Sequence, residues 1–560
     1  MTLSRDEFEA LRARVGVDGL ATPEDLAALE PYRVRNAVML AAGLSTRFAP
    51  VSYERPKGLL RVRGQVLVER QIEQLLEAGI TDITLVVGYK AEAFRYLAAK
   101  YGVRLLENDE YAWRNNAWSL WLARNLLGNT YVCSSDDWFA QNPFEHYVYA
   151  SYYATSFEAG PTEEWCVTED GSGRITEIDH DGRDAWALLG HVYLDRDLAV
   201  RLVRCLGEAL EDGWALPELW DEVLRQYIGD LPIQARHLPA GMVHEFDTLD
   251  QLAAFDPDFL LNFDSRTFDN IQDVLGCDRQ SIHDFYPLSE GLTNLSCHFA
   301  TGDGEYVYRH PGVGTEKLVD RASEEAGLRL ARKLGLDSTF IYEDPEQGWK
   351  ISRFVRDARP LDPSDDDELR RAMEMARRLH RSGARLERRF DFFDEGIRYE
   401  RELLARGPIE AAGYDDLRRK AVRVHELAAA DGYPVCVSHN DFFMLNFLVG
   451  QDGGMSLIDW EYAGMSDEAS DYGTFVVCCE LDEGRALRAL AYYLGAEPTE
   501  RDVRHFFAYV ALAGWCWYLW SLVKEAAGAD VEEWLRGYRR YAVKYLDAVL
   551  AAYEAASVHA

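Results

Sequence analysis

The sequence predicts an α/β chain in two parts, a parallel-sheet domain followed by an α+β domain. Three observations carry this. Apolar strand-like runs alternate with a helical pattern over residues 37–133. That rhythm stops at 255–270 (FDPDFLLNFDSRTFDN). From about 281 a hairpin pattern appears and then gives way to helices.

The elements follow in order. Residues 1–30 read as two short helices, the second opened by Thr22-Pro23-Glu24-Asp25, a cap with proline at the first helical position and acids in the first turn. Residues 37–42 (AVMLAA) form a buried strand feeding a glycine-containing loop, 68–78 a helix, and 83–87 a second buried strand. A third strand, 130–133, runs into Ser134-Ser135-Asp136-Asp137. Strand, helix, strand in this rhythm calls for right-handed parallel crossovers. Past 281, strands 295–299 and 306–309 are joined by the turn Thr301-Gly302-Asp303-Gly304, and helices dominate from 322. The expected division is an arm or small module at 1–33, a first domain at 34–263 and a second at 264–560.

Composition narrows the function classes. The chain has 560 residues, 48% hydrophobic and 12% aromatic, enough to bury several cores. Net charge is −35, which argues against nucleic-acid binding, since that needs a basic surface to displace counterions. Anionic substrates must then be held by a few local cations or a metal. The nine cysteines show no CxxC pair and read as reduced thiols. No run approaches the roughly 20 unbroken apolar residues of a membrane helix, and the charged amphipathic start is not a signal peptide. The expectation is a soluble cytoplasmic protein with small-molecule partners, compatible with a homo-oligomer.

The strongest signal in the first half is Leu40-Ala41-Ala42-Gly43-Leu44-Ser45-Thr46-Arg47, followed by Arg55-Pro56-Lys57. A glycine-containing turn after a buried strand exposes backbone N–H groups that cradle phosphates, and Arg47 and Lys57 add charge-assisted contacts to a triphosphate. Leu40, Ala41, Ala42, Gly43 and Gly88 are expected around the nucleotide, with Arg47 and Lys57 catalytic as well. These residues resemble the nucleotidyltransferases with the pattern G-x-G-T-R…P-K, and more closely the bacterial phosphocholine cytidylyltransferases, over about 34–255. The chain departs from the sugar-nucleotide form at Leu44-Ser45. Asn108-Asp109-Glu110-Tyr111 and Asn115-Asn116-Ala117-Trp118-Ser119-Leu120 look like the choline-type subfamily. The resemblance implies a Rossmann-like fold and Mg²⁺ on two aspartates, Asp136 and Asp247, with Asp137 a rival for Asp136. Trp138 and Trp165 are candidates for the phosphocholine cation.

In the second half, Val437-Ser438-His439-Asn440-Asp441-Phe442-Phe443-Met444-Leu445-Asn446 has the H-x-D-x-x-x-x-N form of a phosphotransfer loop. Asp441 would accept the substrate hydroxyl's proton and Asn446 would reach the metal. Thirteen residues on, Ser456-Leu457-Ile458-Asp459-Trp460-Glu461 ends a short strand in Asp459, suited to Mg²⁺. Upstream, Ser289-Glu290-Gly291-Leu292-Thr293-Asn294 would cover the phosphates, so Thr293 and Asn294 are nucleotide-binding candidates. Arg309 occupies the position of the usual strand lysine, with Glu324 as its helix partner. From Arg309 to Arg321 the chain resembles choline and ethanolamine kinases, in which Arg also stands there. The resemblance covers about 280–525 and implies a bilobal protein-kinase-like fold.

The acceptor is read from Trp515-Cys516-Trp517-Tyr518-Leu519-Trp520. Trp517 and Trp520 share a helix face, and aromatic faces bind quaternary ammonium groups, with Glu461 complementing the charge. The expected function is ATP-dependent phosphorylation of choline, then CTP-dependent conversion of phosphocholine to CDP-choline and pyrophosphate, with Mg²⁺ at both sites. The rivals are a sugar kinase with a sugar-1-phosphate nucleotidyltransferase, an ethanolamine or aminophosphonate pair, and a non-catalytic nucleotide-binding scaffold.

Overall fold

The computed structural model describes every residue except 1–2, 16–20, 216–217, 289–293, 312–319, 528 and 560. The chain divides into two compact units, Met1–Ser289 with Phe299–Gly302, and Glu290–His298 with Asp303–Ala560.

The first unit is built on a seven-stranded sheet. Its strands are β1 (Asn36–Ala41), β2 (Ile83–Val87), β3 (Arg104–Glu107), β4 (Thr130–Ser134), β5 (Tyr152–Glu169), β6 (Ile175–Leu194) and β7 (Gln234–His237), in the order β7-β5-β6-β4-β1-β2-β3. β4, β1, β2 and β3 are parallel neighbours, as the strand–helix rhythm predicts. β1 is buried along its whole length because both faces are covered. Ala37, Met39 and Ala41 enter one core with Val68, Ile72 and Leu75 of helix Leu67–Glu77. Val38 and Leu40 enter the other, with Leu198 and Leu202 of helix Arg196–Glu211. This period-two division fixes the register, since a one-residue slip would exchange the two cores.

Two features of this unit go beyond the sequence reading. The sheet is mixed, because β5 and β6 form a long hairpin whose inner end pairs antiparallel with β4. The outer part of that hairpin is only partly buried and carries many charged residues, so neither apolar period marks it as strand. Helix Arg266–Leu275 is also tied into this unit, where Ser265 and Thr267 donate to the Glu54 carboxylate at 2.9 and 2.7 Å. The N-terminal helices, Arg5–Val15 and Pro23–Leu29, form as read. Thr22 and Asp25 make a reciprocal capping box, and Phe8, Leu11 and Leu29 close over Tyr147.

The second unit begins with a sheet of β8 (Asn294–Thr301), β9 (Gly304–Pro311), β10 (Phe340–Glu343) and β11 (Lys350–Arg353), in the order β8-β9-β11-β10. The remainder is helical, apart from two short antiparallel ladders that carry the motif residues. These are β12 (Val435–Ser438) with β15 (Gly464–Asp467), and β13 (Phe447–Val449) with β14 (Met455–Leu457). Helix Glu500–Ala526, opened by a Thr499/Asp502 capping box, is apolar on all sides. This corrects the expectation that no run approaches a membrane helix: by length and composition it is the one helix among the described residues that could cross a membrane, yet 89% of its apolar window is buried within the protein. Helices Phe392–Arg406, Tyr414–Asp431, Ser470–Cys478 and Glu532–His559 surround it. The approach to Ser470–Cys478 is so close that a Cβ on Gly473 would stand 2.6 Å from the backbone carbonyl of Tyr509. Backbone cannot yield as a side chain can. Gly473→Ala is therefore expected to destabilise the second unit by about 1–3 kcal/mol, read by calorimetry as a lower melting transition for that unit alone.

Candidate active sites

In the first unit the C-terminal ends of β1 and β4 open into a cleft of about 500 Å³. The loop after β1 turns at Ser45, which adopts a left-handed φ of 53°, and Arg47 follows in a short 3₁₀ turn. Leu40, Ala41, Ala42 and Gly43 line the cleft as expected. Gly88 lies behind the loop, where a methyl group would come within 2.7 Å of Tyr111 Cβ and 3.0 Å of Ala42 Cβ. It serves the site by letting Tyr111 close against the β1 loop. Lys57 is brought to the end of β4 by a similar contact, for a Cβ on Gly58 would meet Ser135 Oγ at 2.7 Å.

The four charged residues picked out in the first half meet here as two ion pairs. Lys57 Nζ lies 2.7 Å from Asp136 Oδ2, and Arg47 Nη1 lies 2.8 Å from Asp247 Oδ1. Burial works against the Lys57 ammonium, but Asp136, Glu245 and Asp247 hold its pKa above the ordinary lysine value. Asp136 faces the cleft, whereas Asp137 is 1% exposed and neither of its carboxylate oxygens has a hydrogen-bond partner. Burial, then Glu245 and Asp136, push Asp137 well above the carboxylate range. Between the two neighbours, the structure thus turns Asp136 toward the cleft.

Glu245 was not singled out from the sequence. It lines the same cleft, and desolvation by the walls together with the Asp136 charge raises it to about 8. Asn115, Asn116 and Ser119 also reach the cleft, with Asn108 Nδ2 donating to Ser119 Oγ at 3.0 Å. The two tryptophans expected beside the acceptor lie elsewhere. Trp138 is buried against Phe255 with the Arg70 guanidinium 4.2 Å over its ring, because its strand pairs it with His244 and turns it from the cleft. Trp165 sits on the hairpin with its ring edge-on to His180 at 4.9 Å. Phe48, Tyr111 and Trp113 are the aromatic residues lining the cleft, Trp113 being 74% exposed.

In the second unit the motif loop leaves β12 under an unforeseen organiser. Asp471, at the start of helix Ser470–Cys478, accepts hydrogen bonds from the backbone N–H of Asn440 at 2.6 Å and of His439 at 3.0 Å. Its other partner is His380 Nε2 at 2.8 Å. Burial opposes its charge, yet His380, His439 and these bonds keep its pKa below normal. Asn440 takes a φ of 67°, and its amide donates to Tyr462 O while Ser470 donates to its oxygen. The loop is therefore rigid where it presents Asp441. Asn446 Nδ2 donates to Asp441 Oδ2 at 2.8 Å. Burial and the Asp459 charge raise Asp441 to about 7, against the Asn446 bond.

Arg309 joins this centre. It pairs with Glu324 and lies 3.4 Å from Asp459 Oδ1 and 3.6 Å from Glu343 Oε1. Burial opposes the Glu324 charge, but Arg309, then Lys350, hold its pKa down at about 2. Glu461 is raised to about 8 by burial, then by Asp459, Glu324 and Asp441. Next to Glu461, the Tyr462 ring stands at 89° to Trp517 with centroids 6.0 Å apart, and Trp520 stands at 89° to Trp517 at 6.2 Å. Trp517 is fixed by its Nε1–H bond to Thr474 Oγ1 at 2.8 Å. Thr293 lies outside the described residues, and Asn294 opens β8.

Both centres suit a hard divalent cation. Among the described residues no group of three or more His, Cys, Asp or Glu side chains is placed to hold a metal ion by itself. Mg²⁺ needs none, since it is commonly held by one or two carboxylates with substrate phosphates and water. Asp136 with Asp247, and Asp459 with Asn446, are such oxygen donors, and the raised Glu245 and Glu461 report unspent negative charge beside them.

The chain matches the MobA-like NTP transferase domain over residues 37–123 and the phosphotransferase enzyme family over 284–507. A choline-phosphate cytidylyltransferase of Streptococcus pneumoniae is 35% identical over 213 residues, covering 38% of this chain and 93% of that protein. The first half of the chain belongs to the cytidylyltransferase family. A 2-aminoethylphosphonate cytidylyltransferase of Lancefieldella rimae is equally similar, 35% identical over 225 residues, covering 40% of this chain and 92% of its own. The cytidylyltransferase unit is fused to a kinase-like unit that matches the phosphotransferase enzyme family. The crystal structure of choline kinase LicA from Streptococcus pneumoniae is 26% identical and covers 50% of this chain and 97% of its own, with a TM-score of 0.43.

Asp471 gives this geometry a direct check. Asp471→Asn replaces a charged double acceptor by an amide that satisfies fewer of its three donors. It is expected to cost the kinase-like unit about 1–3 kcal/mol and to lower its phosphoryl transfer at least about tenfold. Nucleotidyl transfer by the first unit, assayed in the same preparation, should be unchanged.

Proposed function

We propose that the chain carries out two successive transfers. The kinase-like unit phosphorylates choline with ATP, and the cytidylyltransferase unit joins the resulting phosphocholine to CTP, giving CDP-choline and pyrophosphate. The observation that carries this reading is the perpendicular aromatic corner of Tyr462, Trp517 and Trp520 beside Glu461 and the phosphotransfer loop. A quaternary ammonium group has no N–H to donate, so aromatic faces and a nearby carboxylate are what recognise it. A sugar would instead need polar partners lining that corner.

In the kinase-like unit, Asp441 accepts the proton of the choline hydroxyl as its oxygen attacks the γ-phosphorus and the bond to the β-phosphate oxygen breaks, releasing ADP. Asn446, bonded to Asp441 Oδ2, orients the carboxylate toward that proton. Arg309 supplies the positive charge of the missing lysine, and Asp459 with Asn446 would hold Mg²⁺. In the cytidylyltransferase unit, a phosphocholine oxygen attacks the α-phosphorus of CTP and pyrophosphate leaves with the bonding pair. Lys57 and Arg47 bind the triphosphate and offset its growing charge. Asp136 and Asp247 would hold Mg²⁺ there, and when bound it neutralises phosphate charge during both transfers. Nine cysteines without a disulfide fit a reducing, cytoplasmic setting.

A second acceptor for the first unit is favoured by one observation. Glu245 and Asp247 line the cleft and Trp138 and Trp165 do not, and carboxylates suit the primary ammonium of an aminophosphonate. The test follows phosphorus species by NMR with Mg²⁺, ATP, CTP and either choline or 2-aminoethylphosphonate. The expected result is phosphocholine, then CDP-choline and pyrophosphate. Asp441→Ala should abolish phosphocholine formation while CDP-choline still forms from added phosphocholine, and Asp136→Ala should stop the sequence at phosphocholine, each by at least about 10³-fold. Untouched choline together with a cytidylylated aminophosphonate would replace choline by the second acceptor.

A further inference from the structure

Arg309 stands where a phosphate-binding lysine is usual, and the structure places a lysine directly opposite it. In the antiparallel pair of β9 and β11, Arg309 is in register with Lys350, so both side chains rise from the same face of the sheet. Both are nearly buried, at 7% and 9% exposure, and both reach one atom. Arg309 Nη2 bonds Glu324 Oε1, and Lys350 Nζ lies 3.6 Å from the same oxygen. The other oxygen, Oε2, faces Arg321 Nη1 at 3.6 Å. Glu324 itself is 1% exposed.

The Arg309 guanidinium is divided among three acids, Glu324, Glu343 and Asp459. Glu343, the register partner of Lys350 on its other side, is also 1% exposed. When Arg309 also engages a nucleotide phosphate, its charge is shared between that phosphate and Glu324 Oε1, which weakens the counter-ion of the buried carboxylate. Arg321 reaches only the other oxygen, at 3.6 Å, so Oε1 needs a counter-ion of its own to keep the buried carboxylate charged.

We propose that Lys350 is a positioning residue of the kinase-like site. It is the second counter-ion of Glu324 Oε1, and it frees Arg309 to engage nucleotide phosphate without stranding that buried carboxylate. The guanidinium then offers its planar fork to the phosphate, while the compact ammonium keeps the helix Arg321–Leu334 charge-balanced from behind. This assignment rests on the reading of the second unit as an ATP-dependent kinase.

The test measures the Kd for Mg·ATP by calorimetry and the KM values for ATP and choline, all on the full chain. Lys350→Met should weaken ATP about tenfold and leave the choline KM within about two-fold, while Lys350→Arg stays within about three-fold of wild type. In a Glu324→Gln background, where no charge needs balancing, adding Lys350→Met should cost less than about two-fold. Lys350→Gln repeats the measurement if the Met variant does not fold. Wild-type ATP affinity in the uncharged variant, no rescue by Arg, or an undiminished loss in the Glu324→Gln background would each overturn the proposal. A wild-type chain that binds ATP without phosphorylating choline sinks the acceptor reading alone, and the ATP affinities still decide Lys350. A wild-type chain that binds no ATP overturns both.

Discussion

Negative charge gathered at the ends of strands is the constraint around which both units are arranged. In the first, Asp136, Asp137, Glu245 and Asp247 converge beyond β4, and in the second Asp441, Asp459, Glu461 and Glu324 converge beyond β12 and β14. Burial first, and then the neighbouring carboxylates, raise Glu245 and Glu461 to about 8 and Asp441 to about 7, so these groups cannot all ionise cheaply. A few cations offset this charge at short range: Lys57 and Arg47 in one centre, Arg309 and Lys350 in the other. A polyanionic nucleotide can enter such a place only with further positive charge. A chain of net charge −35 thus gathers these cations in two small regions, which suits the phosphate-binding role proposed for them.

The folds explain why these regions are stable enough to hold the strain. β1 is buried on both faces, and its end cannot shift without disturbing two cores. The Asp441 loop is held by hydrogen bonds to Asp471, which is anchored through His380. Beneath it, helix Glu500–Ala526 fills the second unit's core and carries Trp517 on a side chain fixed by Thr474. In each unit the reactive groups sit on short loops whose flanking elements are deeply packed, which is what holds a catalytic group to a narrow geometry.

Much of this was legible in the sequence, for a local reason. A strand followed by a glycine-containing turn, or by an aspartate, is a short-range pattern, so Gly43, Arg47, Lys57, Asp136, Asp441 and Asp459 could be found without a fold. What escaped depends on long-range contacts. Asp471 lies 30 residues from the loop it organises, and nothing near Ser470-Asp471-Tyr472 announces it. Lys350 gains meaning only from its register with Arg309, and Glu245 only from a cleft built by distant strands. Trp138 and Trp165 show the converse. Their residue type suited a cation, but the strand pairing of one and the hairpin position of the other turned them elsewhere. The β5–β6 hairpin hid because its outer strands bury too little to show a period.

On the proposed function, each unit holds its own nucleotide centre, balanced by its own cations. Titrating Mg·ATP into the chain already saturated with Mg·CTP tests it most directly. One ATP should bind per chain with its affinity changed by less than about two-fold, and Lys57→Met should remove CTP binding while leaving that ATP site intact. If saturating CTP abolishes ATP binding, or if Lys57→Met removes both nucleotides together, the two centres are not separate.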